Sequence, residues 1–231
     1  MTARPRVLLF DLDGVLIDSV PPIQIAMSRA LVGMGREPLT AESARPLVGP
    51  PLEQSAAIAL GTDDPALVEE FIDGFRAVYR EIYLKETLPQ PGLHTVIPAL
   101  AAQYVLLVAT SKPEAYAVPL LTHFGVALHF RAIVGRSLAL DHDSKGQVIG
   151  RALALVPDVT AERILMIGDR RYDVLGAREH GIDTIGIRSG TGGEAELALA
   201  GAVRIVEGLA ELLDWLTGAA QGARTGRAGP R

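Results

Sequence analysis

The spacing of apolar residues divides the chain into two patterns. A continuous apolar run at residues 7–10 predicts a buried strand, and from about residue 18 to residue 86 apolar positions recur at helical intervals. After residues 89–92, which we interpret as a linker, short apolar runs alternate with amphipathic stretches. This alternation favours a parallel sheet with helices on both faces.

The same spacing predicts the individual elements. Strands are expected at residues 7–10, 104–109, 132–134, 163–167, 184–187 and 203–206. Helices are expected at residues 19–33, 52–60, 113–124, 145–155, 171–180 and 209–216, and a long helix opens at Asp64-Pro65.

The order of the elements predicts an insertion in an α/β fold, because the first strand precedes the helical stretch and the other strands follow it. We predict an α/β core at residues 1–17 and 88–217 and a helical cap at residues 18–87. Residues 218–231, rich in glycine, alanine and arginine, are expected to be a disordered tail. Ligands bind at the carboxyl ends of strands in open α/β sheets, so the cap is expected to lie over that end as a lid.

Two carboxylates directly follow the first strand. Asp11 and Asp13 point to the same side of an extended chain, and Gly14 allows a sharp turn or a close approach to a ligand. Carboxylates at the end of a buried strand are costly to desolvate, so they need a cation, a partner or a catalytic task. An Asp-Gly turn or a helix cap explains the local pattern equally well.

Polar residues also follow later predicted strands. Thr110 and Ser111 precede a predicted helix, where hydroxyl and backbone N–H groups suit an anion, although taken alone an ordinary helix cap is the commoner explanation. Lys145 begins another predicted helix. By itself it is most simply a solvated lysine, but if it reaches the acidic turn it would neutralise a carboxylate nucleophile and a phosphate.

A third strand end carries Asp169, with Asp173 four residues later. On one helix face these carboxylates would repel each other unless a cation lay between them. Magnesium prefers oxygen ligands and is typically held by one or two carboxylates together with substrate phosphate. We therefore favour metal binding over capping for this pair.

Composition excludes several classes of protein. The 231 residues are 48% hydrophobic and carry a net charge of −5, which is ordinary for a soluble globular protein and disfavours a nucleic-acid binder. There is no cysteine, so thiol chemistry and disulfides are excluded. We expect no membrane span and no signal peptide, and hence a cytoplasmic protein that is a monomer or a homodimer.

Together the motifs resemble the haloacid dehalogenase-like hydrolase superfamily, and specifically its phosphoglycolate-phosphatase-like branch. Residues 11–19 (DLDGVLIDS) are similar to the first family motif, Thr110 falls at the second, Lys145 at the third, and Gly168-Asp169 with Asp173 at the fourth. The resemblance covers the chain from about residue 7 to about residue 216. It implies a Rossmann-like core with an inserted helical cap.

The resemblance also implies roles for these residues. Asp11 would attack phosphorus to form an aspartyl-phosphate, and Asp13 would protonate the leaving oxygen and then activate water. Mg²⁺ would be held by Asp11, the backbone carbonyl of Asp13, Asp169 and, directly or through water, Asp173. Thr110, Ser111, Lys145 and Gly14 would bind the substrate, and backbone N–H groups near Leu12 and Ser111 would help to hold the transferring phosphoryl oxygens.

Details of the motifs favour one branch over another. An aspartate at position 13 argues against dehalogenase chemistry, and the form of the fourth motif favours a phosphatase over the alternative, a sugar phosphomutase. The substrate stays open among phosphoglycolate, a nucleoside monophosphate and a sugar phosphate. Residues 47–52 stand where relatives have a loop that enters the active site, although a plain turn fits as well, and Arg45 is a candidate contact to a second anionic group.

Overall fold

The computed structural model describes residues 5–137 and 143–218. Two sheets are formed within these ranges. Their strands are β1 (Val7–Phe10), β2 (Ile17–Asp18), β3 (Leu88–Pro89), β4 (Val105–Pro113), β5 (Ala132–Arg136), β6 (Ile164–Gly168), β7 (Asp183–Ile187) and β8 (Arg204–Val206). The main sheet is parallel, in the order β5-β4-β1-β6-β7-β8, and β2 pairs with β3 in a separate antiparallel ribbon.

Ten α-helices surround the main sheet or lie between β2 and β3, within the same described ranges. They are α1 (Val20–Gly33), α2 (Ala41–Ala44), α3 (Leu52–Leu60), α4 (Pro65–Glu86), α5 (Leu93–Ala101), α6 (Glu114–His123), α7 (Lys145–Leu153), α8 (Arg171–Arg178), α9 (Glu194–Ala200) and α10 (Leu209–Thr217). Short 3-10 turns occur at Arg45–Leu47, Ala127–His129 and Ala161–Arg163.

The main sheet is buried on both faces because alternate residues of its strands enter different apolar clusters. In β1, Leu8 and Phe10 pack in one cluster with α5, α6 and α10, whereas Val7 and Leu9 pack in the other with α7 and α8. A strand covered on both sides has no need for polar positions, which is why β1 is a continuous apolar run. The predicted α/β class with helices on both faces is confirmed.

The helices α1, α3 and α4 form most of a third apolar cluster. Helix α4 begins where the Asp64 carboxylate accepts the backbone N–H groups of Ala66 and Leu67, and it buries Phe71 and Phe75 against α1. Helix α3 ends at Gly61, whose positive φ of 66° is the left-handed conformation that closes many helices. The insertion is thus helical, as the sequence predicted.

The chain enters and leaves this helical block at one place. Ile17 pairs with Pro89, and Asp18 pairs with Leu88, in the ribbon formed by β2 and β3. The segment after residue 88 therefore begins with a short strand, where the sequence suggested only a linker.

Two helices that pack with the main sheet were not predicted. Helix α5 follows the expected linker and was not predicted, although Leu93, Val96, Ile97 and Leu100 have helical spacing and are buried. Helix α9 was also missed, because its burial is confined to Leu197 and an amphipathic pattern is therefore nearly absent.

Strand β4 continues to Pro113, four residues beyond the predicted end, because Pro113 still aligns with Arg136 of β5 after an irregularity in the register. No helix in the two described ranges is long and apolar enough to cross a bilayer. Residues 219–231, most of the predicted disordered tail, lie outside the described residues.

Candidate active site

The loop after β1 directs two carboxylates into one cavity. Asp11 and Asp13 line this cavity, and Leu12 between them is fully buried in the core. Gly14 has a φ of +81°, and a Cβ at this position would overlap the carboxylate of Asp169. Gly14 thus permits the acidic turn and Asp169 to come close together, and it stands against this carboxylate rather than on the cavity wall.

Lys145 lies between two of the acidic residues. Its Nζ is 2.7 Å from Asp11 Oδ1 and 2.7 Å from Asp173 Oδ1, and its side chain is 6% exposed. Burial lowers the pKa of Lys145, but the two carboxylates outweigh this effect and leave the pKa above its ordinary value. The lysine is therefore charged and buried at the acidic turn, and the simpler interpretation of a solvated lysine is wrong.

An ion pair joins Asp143, two residues before Lys145, to Arg151, six residues after it. Arg151 donates to both carboxylate oxygens of Asp143 at 2.7 Å and to the carbonyl of Gly135 at 2.9 Å. Asp143 also accepts the backbone N–H of Ser137 at 2.9 Å. These bonds tie the end of β5 to the segment that places Lys145 at the start of α7.

Asp169 and Asp173 follow β6 and complete the acidic cluster. One oxygen of Asp169, Oδ2, accepts the N–H and the hydroxyl of Thr191, at 2.6 and 2.9 Å. The other, Oδ1, is buried and has no hydrogen-bond partner among the described residues. Carboxylate oxygens of Asp11, Asp169 and Asp173 lie within 4.8 Å of one another, close enough to share one cation.

Burial and mutual repulsion make this cluster costly to ionise without a cation. Burial raises the pKa of Asp11 to about 6, with a further increase from the charge of Asp173 and an opposing effect from Lys145. Burial also raises the pKa of Asp169 to about 7, and the charges of Asp173 and Asp11 add to the increase. A divalent cation would offset both the cost of burying these charges and the repulsion between them.

Asp13 has a different partner, Lys112, whose Nζ lies 2.8 Å and 3.0 Å from the two carboxylate oxygens. Both residues are largely buried, with side chains 5% (Lys112) and 15% (Asp13) exposed. The sequence indicated no role for Lys112. A signal was available, since in an extended strand Lys112 points to the same side as Thr110.

Thr110 and Ser111 both line the cavity, but they do so from the end of β4 rather than from a helix start. The Thr110 hydroxyl accepts the backbone N–H of Lys112 at 3.2 Å. The predicted helix cap is therefore wrong in form, because α6 begins only at Glu114, while both hydroxyl residues stand beside the acidic turn.

Residues 47–52, the cap loop, and the neighbouring Arg45 contact the segments that follow β6 and β7. Arg170 donates from Nη1 to the carbonyl of Val48, and Arg45 donates to the carbonyl of Gly190 at 3.0 Å. Gly49, with a φ of +105°, faces the Arg170 guanidinium. Arg45 thus bonds to the loop after β7 and is not among the residues that line the cavity, and its suggested contact to a second anionic group stays a prediction. The contact of Arg170 had no sequence signal.

The cavity enclosed by these residues has a volume of about 690 Å³ and lies between the helical block and the carboxyl ends of β1, β4, β5 and β6. It includes Gly49, Pro50 and Pro51 of the cap loop. The loop therefore borders the site.

Comparison with known proteins identifies the family to which these residues point. The family model described as "Haloacid dehalogenase-like hydrolase" matches residues 8–187, which contain the acidic turn, Lys145 and the Asp169–Asp173 pair. The chain belongs to this family. The motifs had predicted this family.

Relatives within the haloacid dehalogenase-like family carry different activity names. Tyrosine-protein kinase PtkA of Mycobacterium tuberculosis is 37% identical over 189 residues, which are 81% of this chain and 64% of that protein. A phosphoglycolate phosphatase of Pseudomonas putida is 33% identical, over 80% of this chain and 70% of that protein. The second relative supports the phosphoglycolate-phosphatase-like branch. The chain spans slightly less than two thirds of the length of PtkA.

A crystal structure described as a predicted phosphatase from Clostridium acetobutylicum has the same fold. It superposes with a TM-score of 0.85 at 32% sequence identity, over 94% of this chain and 100% of that one. The fold, including the helical insertion, is therefore that of haloacid dehalogenase-like phosphatases.

Proposed function

We propose that this protein is a Mg²⁺-dependent phosphatase that hydrolyses a small phosphate monoester through an aspartyl-phosphate on Asp11. The observation that carries the proposal is the convergence of three buried carboxylates and Lys145 at the carboxyl ends of β1 and β6. Nucleophile, cation site and positive charge then meet in the cavity where parallel sheets bind ligands.

The residues present fit a magnesium ion. The three clustered carboxylates of Asp11, Asp169 and Asp173 face one ammonium group, that of Lys145, which leaves two negative charges for a divalent cation to balance. The partnerless Oδ1 of Asp169 is the second argument, because a buried oxygen without a donor is rare unless an ion or water belongs beside it. Asp11, Asp169 and Asp173 would hold the ion, together with the backbone carbonyl of Asp13, and it would offset repulsion between an anionic nucleophile and an anionic substrate.

The chain's own groups can carry both halves of the reaction. In the first half, an oxygen of Asp11 forms a bond to phosphorus while the bond to the leaving oxygen breaks, and Asp13 gives that oxygen a proton. In the second half, Asp13 takes a proton from water as the water oxygen attacks phosphorus, which frees Asp11 and releases phosphate. Lys145 and the hydroxyl of Thr110 would bind the phosphoryl oxygens, with the backbone N–H of Ser111.

Helices α1 to α4, at residues 18–87, would act as the cap over this site. Phosphoglycolate, a nucleoside monophosphate and a sugar phosphate are the candidate substrates. A sugar phosphomutase would use the same nucleophile but would return the phosphoryl group to a sugar. Analysis of products from a hexose phosphate separates the two, because a hydrolase releases one inorganic phosphate for each sugar freed.

The test is phosphate release from 4-nitrophenyl phosphate by the native protein and two variants, with Mg²⁺ and with EDTA. Asp11→Asn should abolish release while the protein stays folded, and EDTA should abolish it in the native protein. The matched control is Asp214→Asn, at an exposed position of α10 outside the cavity, which should behave as the native protein. Native-like turnover by Asp11→Asn would remove Asp11 from the mechanism.

A further inference from the structure

The cavity is far larger than a phosphoryl group and a cation require. Its volume of about 690 Å³ corresponds to roughly twenty water molecules in the liquid and falls among sites that enclose drug-sized ligands. A two-carbon acid such as glycolate would leave most of this space unfilled. The cavity therefore indicates a leaving group of considerable size.

An aromatic wall begins next to the proposed proton donor. Lys112, which pairs with Asp13, has its Nζ 5.4 Å from the ring centroid of Tyr79. Tyr79 stacks on Phe75 at 5.2 Å and meets Tyr116 edge to face at 5.3 Å, and all three rings line the cavity. A leaving group that departs beside Asp13 thus comes directly against aromatic side chains.

Apolar side chains from the helical block extend this wall, with the hydroxyl of Ser55 among them. The apolar ones are Ile23, Met27, Leu47 and Leu52. Walls of this kind favour a flat ring over a hydrated polyol, because a sugar needs hydrogen-bonding partners along its whole length and these apolar side chains offer none.

Two cations on α4 border the same cavity. Arg76 and Arg80 are one helical turn apart, both are exposed, and neither forms an ion pair with any residue in the part of the chain that the structure describes. Like charges at this spacing repel and destabilise a helix. Arg76 precedes Tyr79 by three residues and Arg80 follows it by one, so the pair flanks the aromatic wall on its solvent side.

Three other cations of the cavity are already engaged, whereas the buried Nε of Arg136 has no hydrogen-bond partner among the described residues. Lys112 and Lys145 pair with the acidic turn, and Arg170 pairs with Glu196. Arg136 stands within electrostatic range of Asp143. Arg76 and Arg80 are thus two exposed cations that are available for a negative charge on a ligand.

We propose that the substrate is a phosphate monoester whose leaving group is an aromatic ring system with a second anionic group on the side away from the phosphate. The inference rests on the proposed phosphatase function and names its substrate class. The phosphoryl group would bind at Asp11 and Lys145, the ring along Tyr79, and the second anion at Arg76 and Arg80. Phosphoglycolate, which has no ring, would be a poor substrate.

The test compares three esters at saturating Mg²⁺: 2-naphthyl phosphate, its 6-carboxylate and phosphoglycolate. For the native protein we expect kcat/KM to be highest for the carboxylate, roughly tenfold above 2-naphthyl phosphate, and lowest for phosphoglycolate. An Arg76→Ala/Arg80→Ala double variant should remove the preference between the two naphthyl esters. Lys85→Ala, on the same helix outside the cavity, should retain it.

A binding measurement separates this inference from the proposed function. In a calorimetric titration, Asp11→Asn should bind 6-carboxy-2-naphthyl phosphate. When Arg76→Ala and Arg80→Ala are added to this variant, the affinity should fall roughly tenfold. If the native protein hydrolyses no ester but this difference persists, the phosphatase proposal fails and the ligand class stands. Equal preference for phosphoglycolate, or equal loss for both naphthyl esters in turnover and binding, would overturn the inference.

Discussion

Lys112 donates to both carboxylate oxygens of Asp13, at 2.8 and 3.0 Å, and so joins the end of β4 to the loop after β1. The bond fixes the orientation of the carboxylate that we propose as proton donor. Burial lowers the pKa of Lys112, but the interactions with Asp13 and Tyr79 together outweigh burial and leave this pKa raised. Lys112 thus acts through Asp13 as a positioning residue.

Replacing this lysine should affect both activity and stability. We expect Lys112→Met to lower kcat for 4-nitrophenyl phosphate about a hundredfold, because Asp13 loses its fixed orientation. The free energy of unfolding should fall by about 3 kcal/mol, since a largely buried carboxylate is left without its partner. Steady-state kinetics and urea unfolding measure the two effects.

A double variant distinguishes positioning from an independent role. If Lys112 acts through Asp13, then Lys112→Met combined with Asp13→Asn should be no slower than Asp13→Asn alone. A further hundredfold loss in the double variant would show that Lys112 contributes separately.

The response of thermal stability to Mg²⁺ should depend on pH. The folded pKa values of Asp11, about 6, and Asp169, about 7, lie above their ordinary value of 3.8. In the metal-free protein, these groups therefore stabilise the fold below about pH 4, and the contribution is lost as the pH rises through 6 and 7. Cation binding needs both groups ionised, so Mg²⁺ should raise Tm little at pH 5 and most near pH 8.

At a Mg²⁺ concentration about a hundred times Kd the gain should approach about 2.7 kcal/mol. Melting curves with Mg²⁺ and with EDTA across this pH range measure it. Asp169→Asn is the matched variant, and its Tm should respond weakly to Mg²⁺ at every pH. A Mg²⁺ response in the native protein that is equal at pH 5 and pH 8 would contradict the assignment of these carboxylates to the cation.

Two glycines of one loop offer a steric test of the acidic cluster. A Cβ at Gly190 would overlap the Asp169 carboxylate, whereas a Cβ at Gly193 meets nothing within 4 Å. We expect Gly190→Ala to weaken Mg²⁺ binding at least about tenfold, because Asp169 has to move. Gly193→Ala should bind Mg²⁺ as the native protein does. Titration calorimetry reads both, and equal affinities in the two variants would exclude Asp169 from the cation site.

The ion pair between Asp143 and Arg151 should hold Lys145 in position beside the acidic turn. Arg151→Ala leaves the Asp143 carboxylate without its bidentate partner, and we expect a loss of about 2 kcal/mol in the free energy of unfolding and a lower kcat. Hydrogen bonds from Arg151 lower the pKa of Asp143, so its stabilising effect is present above pH 3.8 and is lost as the pH falls through the lowered value.

The acid-unfolding midpoint of Arg151→Ala should therefore move to higher pH. Arg131→Ala, at an exposed position outside the cavity, is the control and should leave the midpoint unchanged. An unchanged midpoint in Arg151→Ala would show that the ion pair between Asp143 and Arg151 does not stabilise the fold.

The strand ends were the part of the site that sequence reasoning could find. Asp11 and Asp169 come together because β1 and β6 are parallel neighbours, and the carboxyl ends of such strands share one edge of the sheet. The Lys112 contact could not be found in this way, since it depends on β4 continuing past an irregular register that only its pairing with β5 reveals.

Long-range contacts of the cap loop were beyond the sequence for a similar reason. Arg170 and Val48 are 122 residues apart, and their hydrogen bond uses a backbone carbonyl, which any residue type provides. Helix α5, by contrast, had a clear apolar spacing that the preceding Pro-Gly pair obscured. Local patterns thus predicted most elements, whereas contacts to backbone atoms across the cavity left no trace in residue type.

The pairing of Ile17 with Pro89 bears on how the polypeptide assembles. Strand β1 pairs with β4, with Val7 opposite Val105, and the whole helical insertion lies between these two strands in the chain. The entropy lost in closing so long a loop rises only logarithmically with its length, and the ribbon fixes both ends of that loop at one point. Pairing between strands that are distant in the sequence slows folding more than it weakens the native state. We therefore expect the insertion to lower the refolding rate.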